Sequence, residues 1–179
     1  MTEKQEKEGK SPQVELAEAA IEAWVKEGRK LASSDRPEQT GNLKVRAGAF
    51  VSLKKDGRLR GCIGTFQPTR ANLADEIISN AISAACRDPR FQPVEREELG
   101  EIDISVDVLS DPELVTDTSM LDAAKYGIIV QKGDRVGLLL PDLEGVDTVE
   151  EQLGIARHKA GIGPDEQVQL YRFTVTRYH

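Results

Sequence analysis

Twice along this chain the same order of patterns recurs. Gly48-Ala49-Phe50-Val51 opens a run that reaches Ile63 through a turn at Asp56-Gly57, and Gly127-Ile128-Ile129-Val130 opens one that reaches Leu140 through Gly133-Asp134. Each is followed by a helical stripe and then by a strand, over 101–109 and 167–178. Glycine accepts the positive φ of a tight turn, so both runs read as hairpins. Hairpin, helix and strand, stated twice, point to an α+β fold. The expectation is two related subdomains, roughly 44–110 and 120–178, sharing one core, with mostly antiparallel sheets flanked by helices. A chain of 179 residues has room for one sizeable core and not for two full-sized domains, so 12–179 reads as a single domain.

The remaining elements follow from local pattern. Residues 1–11 read as a disordered N-terminal segment, because Glu, Lys and Gln alternate there without an apolar stretch. Ser11-Pro12 is a helix start, with Ser11 capping and Pro12 in the first helical position. Val14, Ala17, Ile21, Trp24, Val25 and Leu31 share a face at helical spacing. That helix should stop near Gly28 to Leu31, before the polar loop Ser33 to Asn42. In the strand Leu59 to Phe66, Leu59, Gly61, Ile63 and Thr65 face one way, and Arg60, Cys62, Gly64 and Phe66 the other. Two glycines weaken a strand, so something should approach its backbone closely. An Ala-rich helix is expected from Pro68-Thr69 to Asp88, where Pro89 disfavours the α region of the residue before it. Ile102, Ile104, Val106 and Val108 alternate with Asp103, Ser105, Asp107 and Leu109 as a strand. Asp147 and Glu150 have capping-box spacing, which starts a helix at Thr148 and leaves Gly161 as its stop.

Charge narrows the function classes. Lys plus Arg number 24 and Asp plus Glu 31, a net of −7, which argues against a uniformly basic nucleic-acid binder. One Trp, three Tyr and four Phe leave little for base stacking. The charge is segregated: Lys44 to Arg70 holds seven bases against one acid, and Glu95 to Glu151 sixteen acids against four bases. The two stretches read either as faces for an anionic ligand and a basic partner, or as solvated surfaces within one fold. No apolar run is long enough to span a membrane, and the first ten residues hold no secretory signal. Two cysteines exclude a disulfide scaffold or a zinc ribbon. The expectation is a reduced, cytoplasmic protein, with no cofactor and no metal implied.

Cys62, flanked by Arg60, Gly61 and Gly64, reads as a thiol with a lowered pKa or as a small strand residue. Cys86 reads as packing. Arg90 with Asp88 can grip a carboxylate or phosphate at a pocket rim; equally, Asp88 can cap an exit turn while Phe91 plugs the core. Asp142 and Glu144 can bind a cation or share a proton, or simply share a loop. His158 lies on an exposed helix face. No G-x-S-x-G, P-loop, G-x-G-x-x-G, H-E-x-x-H, EF-hand or C-x-x-x-C-x-x-C pattern occurs.

Leu59-Arg60-Gly61-Cys62-Ile63-Gly64-Thr65, after Phe50-Val51-Ser52-Leu53, resembles the hallmark of AMMECR-type domains. Asp88-Pro89-Arg90-Phe91-Gln92-Pro93, Ile104 to Ser110 and Pro141 to Val146 agree in order and spacing, and the resemblance covers about 12–178. Pro141 to Val146 with Thr148 to Leu153 is similar to the prokaryotic branch called AmmeMemoRadiSam system protein A. The resemblance implies an α+β fold of two related subdomains and an association with a Memo-like protein and a radical-SAM protein. It supplies no activity. It marks Arg60, Gly61, Cys62, Gly64, Asp88, Arg90 and Phe91 as candidates for a shared pocket. Two readings result: an accessory component that binds those partners and a small anionic ligand, or an enzyme with Cys62 as reactive thiol and Arg60 or Arg90 orienting an anionic substrate. Nucleic-acid binding through 44–70 is the weakest.

Overall fold

The computed structural model describes residues 9–36 and 43–179. Most of the expected N-terminal disordered segment, and the end of the loop Ser33 to Asn42, lie outside the described residues. The chain divides into two compact units, one running to Asp107 and including Arg177–His179, the other Val108–Thr176. The fold is α+β, with two four-stranded sheets whose hairpin pairings are antiparallel. One sheet has the order β2-β1-β3-β8, formed by β1 (Ala49–Lys55), β2 (Arg58–Thr65), β3 (Ile102–Leu109) and β8 (Val175–Tyr178). The other has the order β4-β7-β5-β6, formed by β4 (Glu113–Val115), β5 (Gly127–Lys132), β6 (Arg135–Leu139) and β7 (Gln169–Phe173). The helices are α1 (Pro12–Glu27), α2 (Leu73–Cys86) and α3 (Val149–Lys159).

In the first unit the Ser11 hydroxyl oxygen accepts from the Val14 N–H, and Gly28 closes α1 at φ +65°. Val14, Leu16, Ala17, Ala20 and Ile21 are buried along α1. Trp24 is half-buried, with the Arg87 guanidinium 5.7 Å from its ring centre. In the β1–β2 register Leu53 faces Gly61, Ser52 faces Cys62 and Val51 faces Ile63. Leu53 and Val51 are buried, and a Cβ on Gly61 would be driven into the Ala84 carbonyl oxygen of α2. That is the close backbone approach the strand's glycines predict. Cys62 and Gly64 therefore lie on the face of β2 turned away from α2.

Three boundaries differ from expectation. Helix α2 begins at Leu73 rather than at Pro68-Thr69, because the Asn72 side chain accepts the Asp75 N–H at 2.8 Å and the residues before it are held as a loop by Glu76. Helix α3 is capped by Thr148, whose hydroxyl accepts the Glu151 N–H while Glu151 accepts the N–H groups of Thr148 and Asp147. The capping box therefore falls one residue later than Asp147 and Glu150. The last β segment splits at Thr174 into β7 and β8, which join different sheets. In the second unit Val115, Leu121, Ile128, Val130, Leu139, Ala156 and Ile162 form the core against α3.

Candidate functional site at the β2 edge

An edge strand leaves outward N–H and C=O groups that need partners. β2 is an edge strand, and its signature residues solve this with side chains. The Cys62 N–H donates to Asp88 Oδ2 at 2.9 Å, and the Cys62 carbonyl accepts from Arg90 Nη2 at 3.2 Å. Asp88 also accepts from Arg90 three times: N at 3.1 Å, Nε at 2.9 Å and Nη2 at 2.7 Å. The Asp88 side chain is 2% exposed and the Arg90 side chain 55%, so a buried carboxylate carries an outward guanidinium. The Arg90 guanidinium lies 5.4 Å from the Phe91 ring centre. Arg90 holds the Asp88 carboxyl well below the usual carboxylate range; burial opposes this, and the Cys62 and Arg90 N–H groups add to the lowering.

Arg60 is engaged elsewhere. Its Nε and Nη2 pair with Glu98 at 3.0 and 2.8 Å, and Nη1 and Nη2 donate to the carbonyls of Gln92 and Pro93. A bidentate guanidinium–carboxylate pair of this kind fixes geometry as well as charge. It ties the loop after α2 to the hairpin. The Arg60 guanidinium, with the Glu95 N–H, pushes Glu98 down to about 2.

The Ser52 hydroxyl donates to Cys62 Sγ at 3.2 Å, across the strand pair. Cys62 and Cys86 are both free thiols and partly buried. Burial pushes the Cys86 thiol up, against the opposing pull of Arg87 and Trp24. The structure thus brings Cys62, Asp88, Arg90 and Phe91 together, with Gly61 against α2 and Gly64 against the Phe50 ring. Asp142, Glu144 and His158 are exposed, and no group of three or more possible metal-ligating His, Cys, Asp or Glu side chains occurs among the described residues.

A second polar centre escaped the sequence reading. Glu76 is fully buried and accepts four hydrogen bonds, from the hydroxyls of Thr65 (2.6 Å) and Thr69 (2.8 Å) and the N–H groups of Thr69 and Arg70 (both 2.8 Å). Buried Asn80 donates to the Ala49 carbonyl and to Thr65 Oγ1. The available signal was spacing: Leu73, Glu76, Ile77, Asn80 and Ala84 lie on one helical stripe, so two polar residues sit inside an apolar face.

The carboxylates at the β2 edge set an acid limit. Asp88 and Glu98 are both lowered by folding, so the stability they contribute is complete above their unfolded values and is lost as pH falls through their folded ones. The urea midpoint, read from Trp24 fluorescence, should be level from about pH 7 to 5 and fall below about pH 4. Glu98→Gln should make the fall shallower between about pH 4 and 2; an unchanged slope would remove Glu98 from the account.

The AMMECR1 family model matches residues 14–178. A Thermotoga maritima protein is 57% identical over 173 residues, covering 95% of this chain and 98% of its own length. A Clostridium acetobutylicum protein is 48% identical, covering 96% of this chain but 36% of its own length. The crystal structure of an uncharacterised Pyrococcus horikoshii protein superposes with a TM-score of 0.82 at 34% identity, covering 93% of this chain and 89% of that one.

Proposed function

Because the chain belongs to the AMMECR1 family, we propose that it acts as a binding component, an accessory to enzymes rather than a catalyst. The observation that supports this reading is that the signature's charges are engaged with one another. Arg60 is tied to Glu98 and two carbonyls, and Asp88 already accepts four hydrogen bonds. General acid–base catalysis needs a group titrating near the working pH, and both carboxylates are held far below it. A thiol nucleophile needs a base within reach, whereas the hydrogen bond at Cys62 Sγ comes from a hydroxyl that donates to it.

The partners in this reading are a Memo-like protein and a radical-SAM protein, with a small anionic ligand held at the β2 edge. Lys55 and Arg60 of the basic stretch are paired with Glu98 and Glu101 of the acidic one, and it is the remaining charges of the two stretches that offer complementary surfaces for such an assembly. Anaerobic co-purification from native extract tests it, with recovery of either partner expected. If neither is recovered and the purified proteins show no measurable affinity, the reading fails. The second reading, an enzyme using Cys62, is favoured by the partial exposure of that residue. Cys62→Ser separates the two: partner recovery should survive it, and a thiol-dependent activity should not.

A further inference from the structure

The two units repeat one plan closely enough for each to serve as the other's control. Arg60 pairs with Glu98 at 2.8 Å, and Lys55, at the end of β1, lies 3.6 Å from the same carboxylate and 2.6 Å from Glu101; Lys132, at the end of β5, and Arg135 converge on Glu166 at 2.6 and 2.8 Å. Arg60 donates to the Gln92 and Pro93 carbonyls, and Arg135 to the Gly161 carbonyl. Glu76 and Gln152 are each fully buried at the same position after the capping residues Asn72 and Thr148. A Cβ on Gly61 would strike the Ala84 carbonyl, and one on Gly137 the Ala156 carbonyl. These shared features are what a hairpin packed under its following helix requires.

One position breaks the repeat. Leu53 faces Gly61 and Val130 faces Gly137; the next cross-strand pair is Ser52–Cys62 in the first unit and Ile129–Leu138 in the second. The Leu138 carbonyl accepts from Lys159 Nζ at 3.3 Å, as the Cys62 carbonyl accepts from Arg90. The plan therefore folds with two aliphatic side chains where the first unit places a hydroxyl and a thiol. Packing gains less from that polar pair than from the aliphatic one. The neighbouring Arg90 commits Nε and Nη2 to Asp88 and the Cys62 carbonyl, which among the described residues leaves the two N–H groups of Nη1 for an incoming acceptor.

We propose that Ser52, Cys62 and Arg90 Nη1 form the ligand site of the first unit, and that it takes a small monocarboxylate in preference to phosphate. The inference rests on the reading of the chain as a binding component. Asp88, paired to Arg90, offsets most of the guanidinium's charge beyond the immediate contact. What remains is a short-range donor, enough for one carboxylate oxygen. Phosphate recognition gains most from a fork of donors with net positive charge, and the fork of Arg90 already faces Asp88.

The test uses Cys62 as its own reporter, in the full chain with Cys86→Ala. The rate of alkylation by iodoacetate relative to iodoacetamide is normalised to that of N-acetylcysteine. A normalised ratio of about three or more is expected, from the field of a nearby donor. Arg90→Gln should bring it to about one, and Arg90→Lys, which keeps a cation beside Asp88 but removes the spare nitrogen, should lower it as well. Acetate should slow the alkylation, and inorganic phosphate at equal ionic strength should not. A wild-type ratio at or below one, or one that survives Arg90→Gln, overturns the site; equal protection by phosphate overturns the ligand class. Ser52→Ile combined with Cys62→Leu should unfold at the wild-type urea midpoint or above, because the second hairpin folds with that pair; a large loss would overturn the comparison. Failure here with partners recovered leaves the accessory reading standing, and selective alkylation without partner recovery removes only that reading.

Discussion

Glu76→Ala is expected to lower folding stability by about 3–5 kcal/mol, because it takes a buried acceptor away from four donors at once. Four donors converge on this fully buried carboxylate: two hydroxyls and two backbone N–H groups. Burial alone would raise its pKa, but the four hydrogen bonds outweigh it and hold the group ionised. Alanine would leave the donors of the 65–70 loop facing an apolar helix, and each buried donor without a partner costs about 1–3 kcal/mol. Glu76→Gln should cost less: the two N–H groups share Oε2 and the two hydroxyls share Oε1, so the amide oxygen can keep the N–H groups while its nitrogen donates to the Thr65 and Thr69 hydroxyls, which can also accept. The second unit has no such freedom, because Gln152 Nε2 donates to the carbonyls of Tyr126 and Leu140, which only accept. Gln152→Glu would set a carboxylate against two carbonyl oxygens. Urea unfolding followed by Trp24 fluorescence measures the first effect, and a loss below about 1 kcal/mol would mean that water takes over the four donors.

The Glu76 and Gln152 pair also shows which parts of the fold were legible in the sequence. Turns and caps act through adjacent residues, so the hairpins at Asp56-Gly57 and Gly133-Asp134, the Ser11 cap and the stop at Gly28 were readable directly. The α2 start was misplaced because the competing loop is stabilised from Glu76, which lies inside the helix and has no local signature at Thr69. The same separation hid the Arg60–Glu98 pair, 38 positions apart. At the candidate site, the residue types suggested a thiol beside arginines. Which arginine is spare depended on one long-range partner: Glu98, 38 positions away, claims Arg60, whereas Asp88, two positions from Arg90, leaves one of its nitrogens. The polar Ser52–Cys62 pair became informative only when the β5–β6 register placed Ile129 and Leu138 in the matching positions.

Gly61→Ala and Gly137→Ala should each lose about 3 kcal/mol or more, at or beyond the usual range for overpacking, because the atom in the way is backbone. A flexible side chain can swing aside from a new methyl group. The Ala84 and Ala156 carbonyls cannot, since each is fixed within a helix. Accommodation then requires the helix to move off its hairpin. In the first unit that would uncover Ile77, Ala81 and Ala85, all buried on α2, at about 25 cal/mol for each Å² exposed. Gly154→Ala supplies the control. Gly154 lies within α3 with nothing within 4 Å of an added Cβ, so alanine should stabilise by about 0.5–1 kcal/mol through helix propensity. Thermal unfolding followed by circular dichroism reports all three variants on one scale. If Gly61→Ala or Gly137→Ala melted with the wild type, α2 or α3 would have room to retreat, and the glycine would not be what brings that helix onto its hairpin. If both melt early while Gly154→Ala melts late, the two hairpin glycines answer to the same constraint, as the repeated plan requires.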